Sequence, residues 1–133
     1  MIHSLLNFLH RHQYLLYICF TILTLLTLLL TLLPTDRISV DTRLFEYDKI
    51  GHGLMFGSWT FFLGLTHIIT FRKSLPLFSI FIAGCIFGIS IEVLQELLPV
   101  NRDGNPYDAL AGLIGCLIAV ILLKIITNQS IHR

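Results

Sequence analysis

The sequence predicts an all-α protein, a four-helix transmembrane bundle forming a single domain. Apolar residues make up 55% of the 133, and charged residues only 13%, about half the share of roughly 25% found in soluble chains. The mean hydropathy is +0.81. The apolar residues gather in runs of about 18 or more, long enough to cross a bilayer. The eight carboxylates (Asp36, Asp41, Glu46, Asp48, Glu92, Glu96, Asp103 and Asp108) instead crowd around two connections. In spans of alternating direction, both connections emerge on one side of the membrane. Any chemistry that needs ionisable groups is expected there.

Span one covers residues 15–33 and is stopped by Pro34. A secretory signal is the competing reading, but the apolar stretch is long for one and no small-residue cleavage site follows. Its threonines, Thr21, Thr24, Thr27 and Thr31, recur near helical spacing and are expected to bond back to their own helix carbonyls. Span two covers 50–71 and span three 75–98, joined by a tight Arg72-Lys73 turn. Ser74 is the candidate N-cap of span three, with Pro76 in its first turn, and Pro99 ends it. Span four covers 106–126, opened by Asn105 as N-cap, Pro106 at the first helical position and Asp108 at the third.

Lys and Arg set the orientation. Arg11, Arg72, Lys73, Lys124 and Arg133 would share one side, and Arg37, Arg43, Lys49 and Arg102 the other. The excess on the first side, sharpened by the very short Arg72-Lys73 loop, places both termini in the cytoplasm.

Composition also excludes. A net charge of +1 supplies no basic patch, so nucleic acid is not an expected partner. Cys19, Cys85 and Cys116 lie far apart inside apolar runs and read as small core residues, not a disulfide framework or metal site. No Walker loop, GxGxxG, CxxC or HExxH occurs, and no cofactor is expected.

Inside a bilayer, helices pack closely through small residues. Span two carries Gly53 and Gly57 with Gly64, span three carries Gly84 and Gly88, and span four carries Gly112, Gly115 and Ala119. At about 100° per residue each stripe runs into polar groups at the carboxylate-rich end. Lys49 falls on the glycine side of span two, beside His52 and Phe56; Glu92 and Gln95 continue the stripe of span three; Asp108 continues that of span four. The stripes point to the bundle interior and also offer faces for a homo-oligomer.

Asp48 and His52, four residues apart, would set a carboxylate beside an imidazole, holding one tautomer or favouring the charged ring. Lys49 is a candidate anion contact, and Arg102 can fork onto a carboxylate or phosphate. Glu92 lies within an apolar span, where an acid is by default functional. Each residue has a plain reading as well. Asp108 satisfies free helix amides, Arg102 pairs structurally with Glu92 or Asp103, Asp48 and Lys49 are solvated interface residues, and His52 is a packed ring. A metal held by His52, Glu92 and Asp108 is conceivable by ligand type, but nothing in the spacing demands it.

The segments D-K-I-G-H at 48–52 with Phe56, G-I-S-I-E-V-L-Q at 88–95, Arg102, and D-A-L-A-G-L-I-G at 108–115 resemble the VanZ-like family of small membrane proteins. The resemblance covers about residues 46–120. It carries over Asp48, Lys49, His52, Glu92, Gln95, Arg102 and Asp108, while Ala111 stands where the family usually has Asn, removing a cross-helix amide. It implies a multi-pass protein of the bacterial cytoplasmic membrane and a theme of resistance to teicoplanin, a lipid-tailed glycopeptide. It does not imply a reaction.

Three functions follow as expectations. The first is an envelope protein whose outward polar mouth binds or screens a lipid-anchored or lipid-tailed anion. Lys49 and Arg102 would contact the anion, with Glu92, His52 and Asp108 holding them. The second is an enzyme acting on a lipid head group, with His52 as base or nucleophile and Glu92 as acid. The third is a proton- or ion-coupled translocator with Glu92 as relay, which the single deep acid and unbroken spans disfavour.

Overall fold

The computed structural model describes residues 2–32, 48–71, 76–98 and 105–131, with side chains for 7–32, 49–71, 76–98 and 105–128. These residues form five helices: α1 (Ile2–Arg11), α2 (Gln13–Leu32), α3 (Asp48–Phe71), α4 (Leu77–Leu97) and α5 (Pro106–Ile131). The last four are long and apolar enough to cross a membrane. At 1.5 Å per residue the 20 residues of α2 cover about 30 Å, the thickness of a bilayer's hydrocarbon layer. All four expected spans are present, within a few residues of the expected limits except at the end of α5.

Two features differ from the sequence expectation. The first is α1, a strongly amphipathic helix of nearly three turns that ends in His10 and Arg11. Its ten residues are too short for a span, and a search for bilayer-length runs passes over it. His10 Nδ1 lies 3.0 Å from the carbonyl of Ile69, fixing α1 to the end of α3. The second is the start of α4. Pro76 stands at the cap position, not inside the first turn, and its carbonyl accepts from Ile80 N–H at 3.0 Å. Ser74, the Arg72-Lys73 turn, Pro34 and Pro99 lie outside the described residues, as do Arg37, Arg43 and Arg133 of the orientation argument.

The contacts fix an alternating arrangement. Tyr17 of α2 bonds Thr70 of α3 at 2.7 Å, so the start of α2 meets the end of α3. Gln95 of α4 donates to Thr31 O at 2.8 Å, joining the ends of α2 and α4. The backbone N–H of Asn105, just before α5, donates to Glu92 Oε2 at 3.2 Å. The end of α2 and α4 and the start of α3 and α5 therefore share one face, the polar end of the bundle.

The closest pair is α3 and α5, and small residues make it so. A Cβ added at Gly57 would come 2.9 Å from the Gly115 carbonyl oxygen, and one at Gly115 would collide with the Gly53 carbonyl. These are backbone obstacles, and backbone cannot swing aside. The Gly53/Gly57 stripe thus serves packing within the chain. Around it, Phe56, Ile91 and Cys116 form a buried cluster, and Gly112 leaves room for the Phe56 ring.

Hydroxyls do local work. Thr24 and Thr31 donate to the carbonyls of Phe20 and Thr27, four residues back, as expected, whereas the buried Thr27 hydroxyl makes no hydrogen bond among the described residues. Thr24 also accepts from Trp59 Nε1 at 3.0 Å, and Trp59 stacks on Phe87 with centroids 4.1 Å apart. Replacing Thr24 with valine is expected to cost about 0.6 kcal/mol, the usual worth of an interhelical bond in a bilayer. A detergent-unfolding titration followed by the single tryptophan would read it. The three cysteines are free; Cys116 is buried as expected, whereas Cys19 is exposed on the lipid-facing side of α2.

Candidate functional site

At the polar end, α3, α4 and α5 each direct one ionisable side chain inward. His52 is 2% exposed, Asp108 6% and Glu92 9%. The placement follows from Phe56, which is fully buried. Its ring lies against both Gly88 of α4 and Gly112 of α5. One turn toward the polar end from these three positions lie His52, Glu92 and Asp108, so the residues share a level. The Phe56 ring floors the cluster, with the His52 ring 5.8 Å away centroid to centroid.

His52 Nε2 faces Glu92 Oε1 at 3.5 Å. The imidazole therefore meets a carboxylate from another helix. The sequence pairs it with Asp48, whose backbone opens α3 but whose side chain lies outside the described residues. The second oxygen of Glu92 is held by the Asn105 amide. A carboxylate removed from water is tolerated when its lone pairs are met in this way.

Asn105 has a further task that bears on Asp108. Its side-chain Oδ1 accepts from Tyr107 N–H at 3.0 Å and its carbonyl accepts from Asp108 N–H at 2.9 Å, which makes it the cap of α5. The helix start is thus capped by Asn105, as the sequence predicts. Asp108 Oδ1, by contrast, is buried and accepts no hydrogen bond among the described residues. The plain reading of Asp108 as an amide-satisfying carboxylate does not describe that oxygen.

Gln95 is 3% exposed and commits its amide nitrogen to Thr31 O, one of the last carbonyls of α2, which lack helical partners. Its observed role is to clasp α2 to α4. Gln95→Leu is expected to destabilise the bundle by about 1 kcal/mol through loss of this bond, read as a lower midpoint in the same detergent titration.

Lys49 stands apart from the buried three. It is exposed, on the glycine side of α3 as its spacing predicts, at one end of a groove of about 570 Å³ between α3 and α5. That groove runs along the outer side of the bundle rather than at the His52–Glu92 contact. Glu96 is exposed near the polar end. Arg102 and Asp103 fall outside the described residues. Of the sequence-predicted residues, His52, Glu92 and Asp108 are brought to one level, while Lys49 lies on the outer α3–α5 groove and Gln95 at the α2–α4 contact. No group of three His, Cys, Asp or Glu side chains among the described residues is gathered closely enough to hold a metal ion.

Asn105 was legible only as a cap. That its backbone would also secure Glu92 depends on the start of α5 lying against the end of α4, which no local pattern encodes. No protein-family model, curated protein or solved structure matches the chain, so a functional reading rests on its residues and on the geometry of this cluster.

Proposed function

We propose that this is a membrane protein of VanZ-like type, in the bacterial cytoplasmic membrane with both termini cytoplasmic. In this reading its polar end faces outward and binds or screens a lipid-anchored or lipid-tailed anion of the cell envelope. The supporting observation is the buried His52–Glu92 contact, with the buried carboxylate of Asp108 at the same level of the bundle. Buried polar groups in a bilayer are expensive, and a bundle that needed only stability would use apolar side chains there. Lys49, exposed at the same end, takes the anion together with Arg102, while the buried acids accept donors from the ligand.

Lys49→Ala and Arg102→Ala are the direct test. Each is expected to abolish protection of cells against a lipid-tailed glycopeptide, with membrane expression unchanged. Protection that survives in both variants removes the anion-binding reading.

The 3.5 Å carboxylate–imidazole contact also favours a second reading, an enzyme acting on a lipid head group with His52 as base and Glu92 as acid. Purified protein incubated with envelope lipids would then form product. Turnover that persists in His52→Ala and Glu92→Gln would refute it.

A further inference from the structure

Because Gly53 and Gly57 of α3 meet Ala111 and Gly115 of α5 nearly backbone to backbone, no side chain fills the outer crease between the helices. The crease is the 570 Å³ groove, and its walls include Leu54, Ser58, Ile114 and Ile118. It extends from Lys49 to Phe62 along α3, about 20 Å at 1.5 Å per residue. The leaflet in which α3 begins is about 15 Å deep, half the hydrocarbon thickness. The groove therefore runs from the head-group level across one whole leaflet.

We propose that this groove holds one acyl chain of an anionic phospholipid whose phosphate sits on the Lys49 ammonium. Three observations carry the assignment. The groove is long and lined almost wholly by apolar side chains, over a length close to the depth of one leaflet, which suits an extended hydrocarbon chain. Apart from Ser58, Lys49 is the groove's polar lining residue, and it stands at the end where a head group lies. Tyr107, 66% exposed one turn before Ala111, is at the same level on α5, the depth that tyrosine favours in membranes. Lys49 closes the groove with a cation, so the complementary head group is an anion.

The inference rests on the proposed function in one respect, that Lys49 meets an anion; the groove itself does not involve His52 or Glu92. The test is native mass spectrometry of the full chain in micelles holding equal phosphatidylglycerol and phosphatidylcholine with identical acyl chains. The expected result is one retained lipid per chain, with phosphatidylglycerol preferred about fivefold, the factor one lysine contributes at an anionic surface. Lys49→Gln is expected to erase the preference while the lipid stays, and Lys49→Arg to keep it. Ser58→Trp and Ile118→Trp, filling the groove from either wall at exposed positions, are expected to lose the lipid with helix content unchanged. Equal retention of both lipids by the parent chain overturns the proposal, as does full retention in both tryptophan variants, or a dimer in place of the lipid-bound monomer. Glu92→Gln is expected to keep the lipid. If that variant also keeps glycopeptide protection, the polar-cluster reading fails while the groove stands.

Discussion

Gly115→Val is expected to open the bundle. Even a single added Cβ at this position would run into the Gly53 carbonyl, and the neighbouring obstacle is backbone, not a flexible side chain. Overpacking a well-filled core usually costs 1–3 kcal/mol; with no rotamer change to relieve it, the loss here is expected at about 3 kcal/mol or more. Helical content in detergent would survive, because each span satisfies its own backbone. The α3–α5 contact would not, and cysteine pairs introduced across it would cease to crosslink. Gly51 supplies the control. A Cβ there meets nothing within 4 Å, so Gly51→Ala should stabilise α3 by about 0.5–1 kcal/mol through helix propensity alone. Equal midpoints for the two variants would contradict the packing described.

His52→Leu is the second large effect. It leaves Glu92 Oε1 buried and opposite an alkyl group. Removing one member of a buried pair typically costs about 3–5 kcal/mol, whereas replacing both members by apolar residues is often near neutral. The double variant His52→Leu, Glu92→Leu is therefore expected to be less destabilised than the single effects add up to, by at least about 1 kcal/mol. Glu92 also accepts from the Asn105 amide, so Glu92→Leu alone should cost stability independently of His52. A double-mutant cycle of unfolding midpoints measures the coupling. Strict additivity would mean that the imidazole and carboxylate do not interact, and would leave the polar cluster without its central contact.

Helical periodicity made the buried sides of the helices readable. Gly84, Gly88, Glu92 and Gln95 recur every three to four residues, and all four are buried in α4. Asp108, Gly112 and Gly115 repeat the pattern on α5. Spacing within one helix shows which residues share a side, so the inward direction of His52, Glu92 and Asp108 could be inferred before any coordinates. Pairing across helices is a matter of rotation and level. Asp48 is adjacent to His52 by spacing, yet the observed carboxylate contact comes from Glu92, forty residues on. Gln95 looked like a ligand contact for the same reason, and its partner, the Thr31 carbonyl, is a backbone atom that carries no sequence signal. The α1 helix was missed because amphipathic surface helices show periodicity without length.

Below the cluster, Phe56 packs with Ile91 and Cys116 into a buried apolar layer. An ion or proton admitted at His52 meets an aromatic plug one turn in, with both adjoining glycine notches already occupied by the ring's own edge. A ligand that touches His52 or Glu92 is therefore expected to stop at the ring and to remain at the polar end of the bundle.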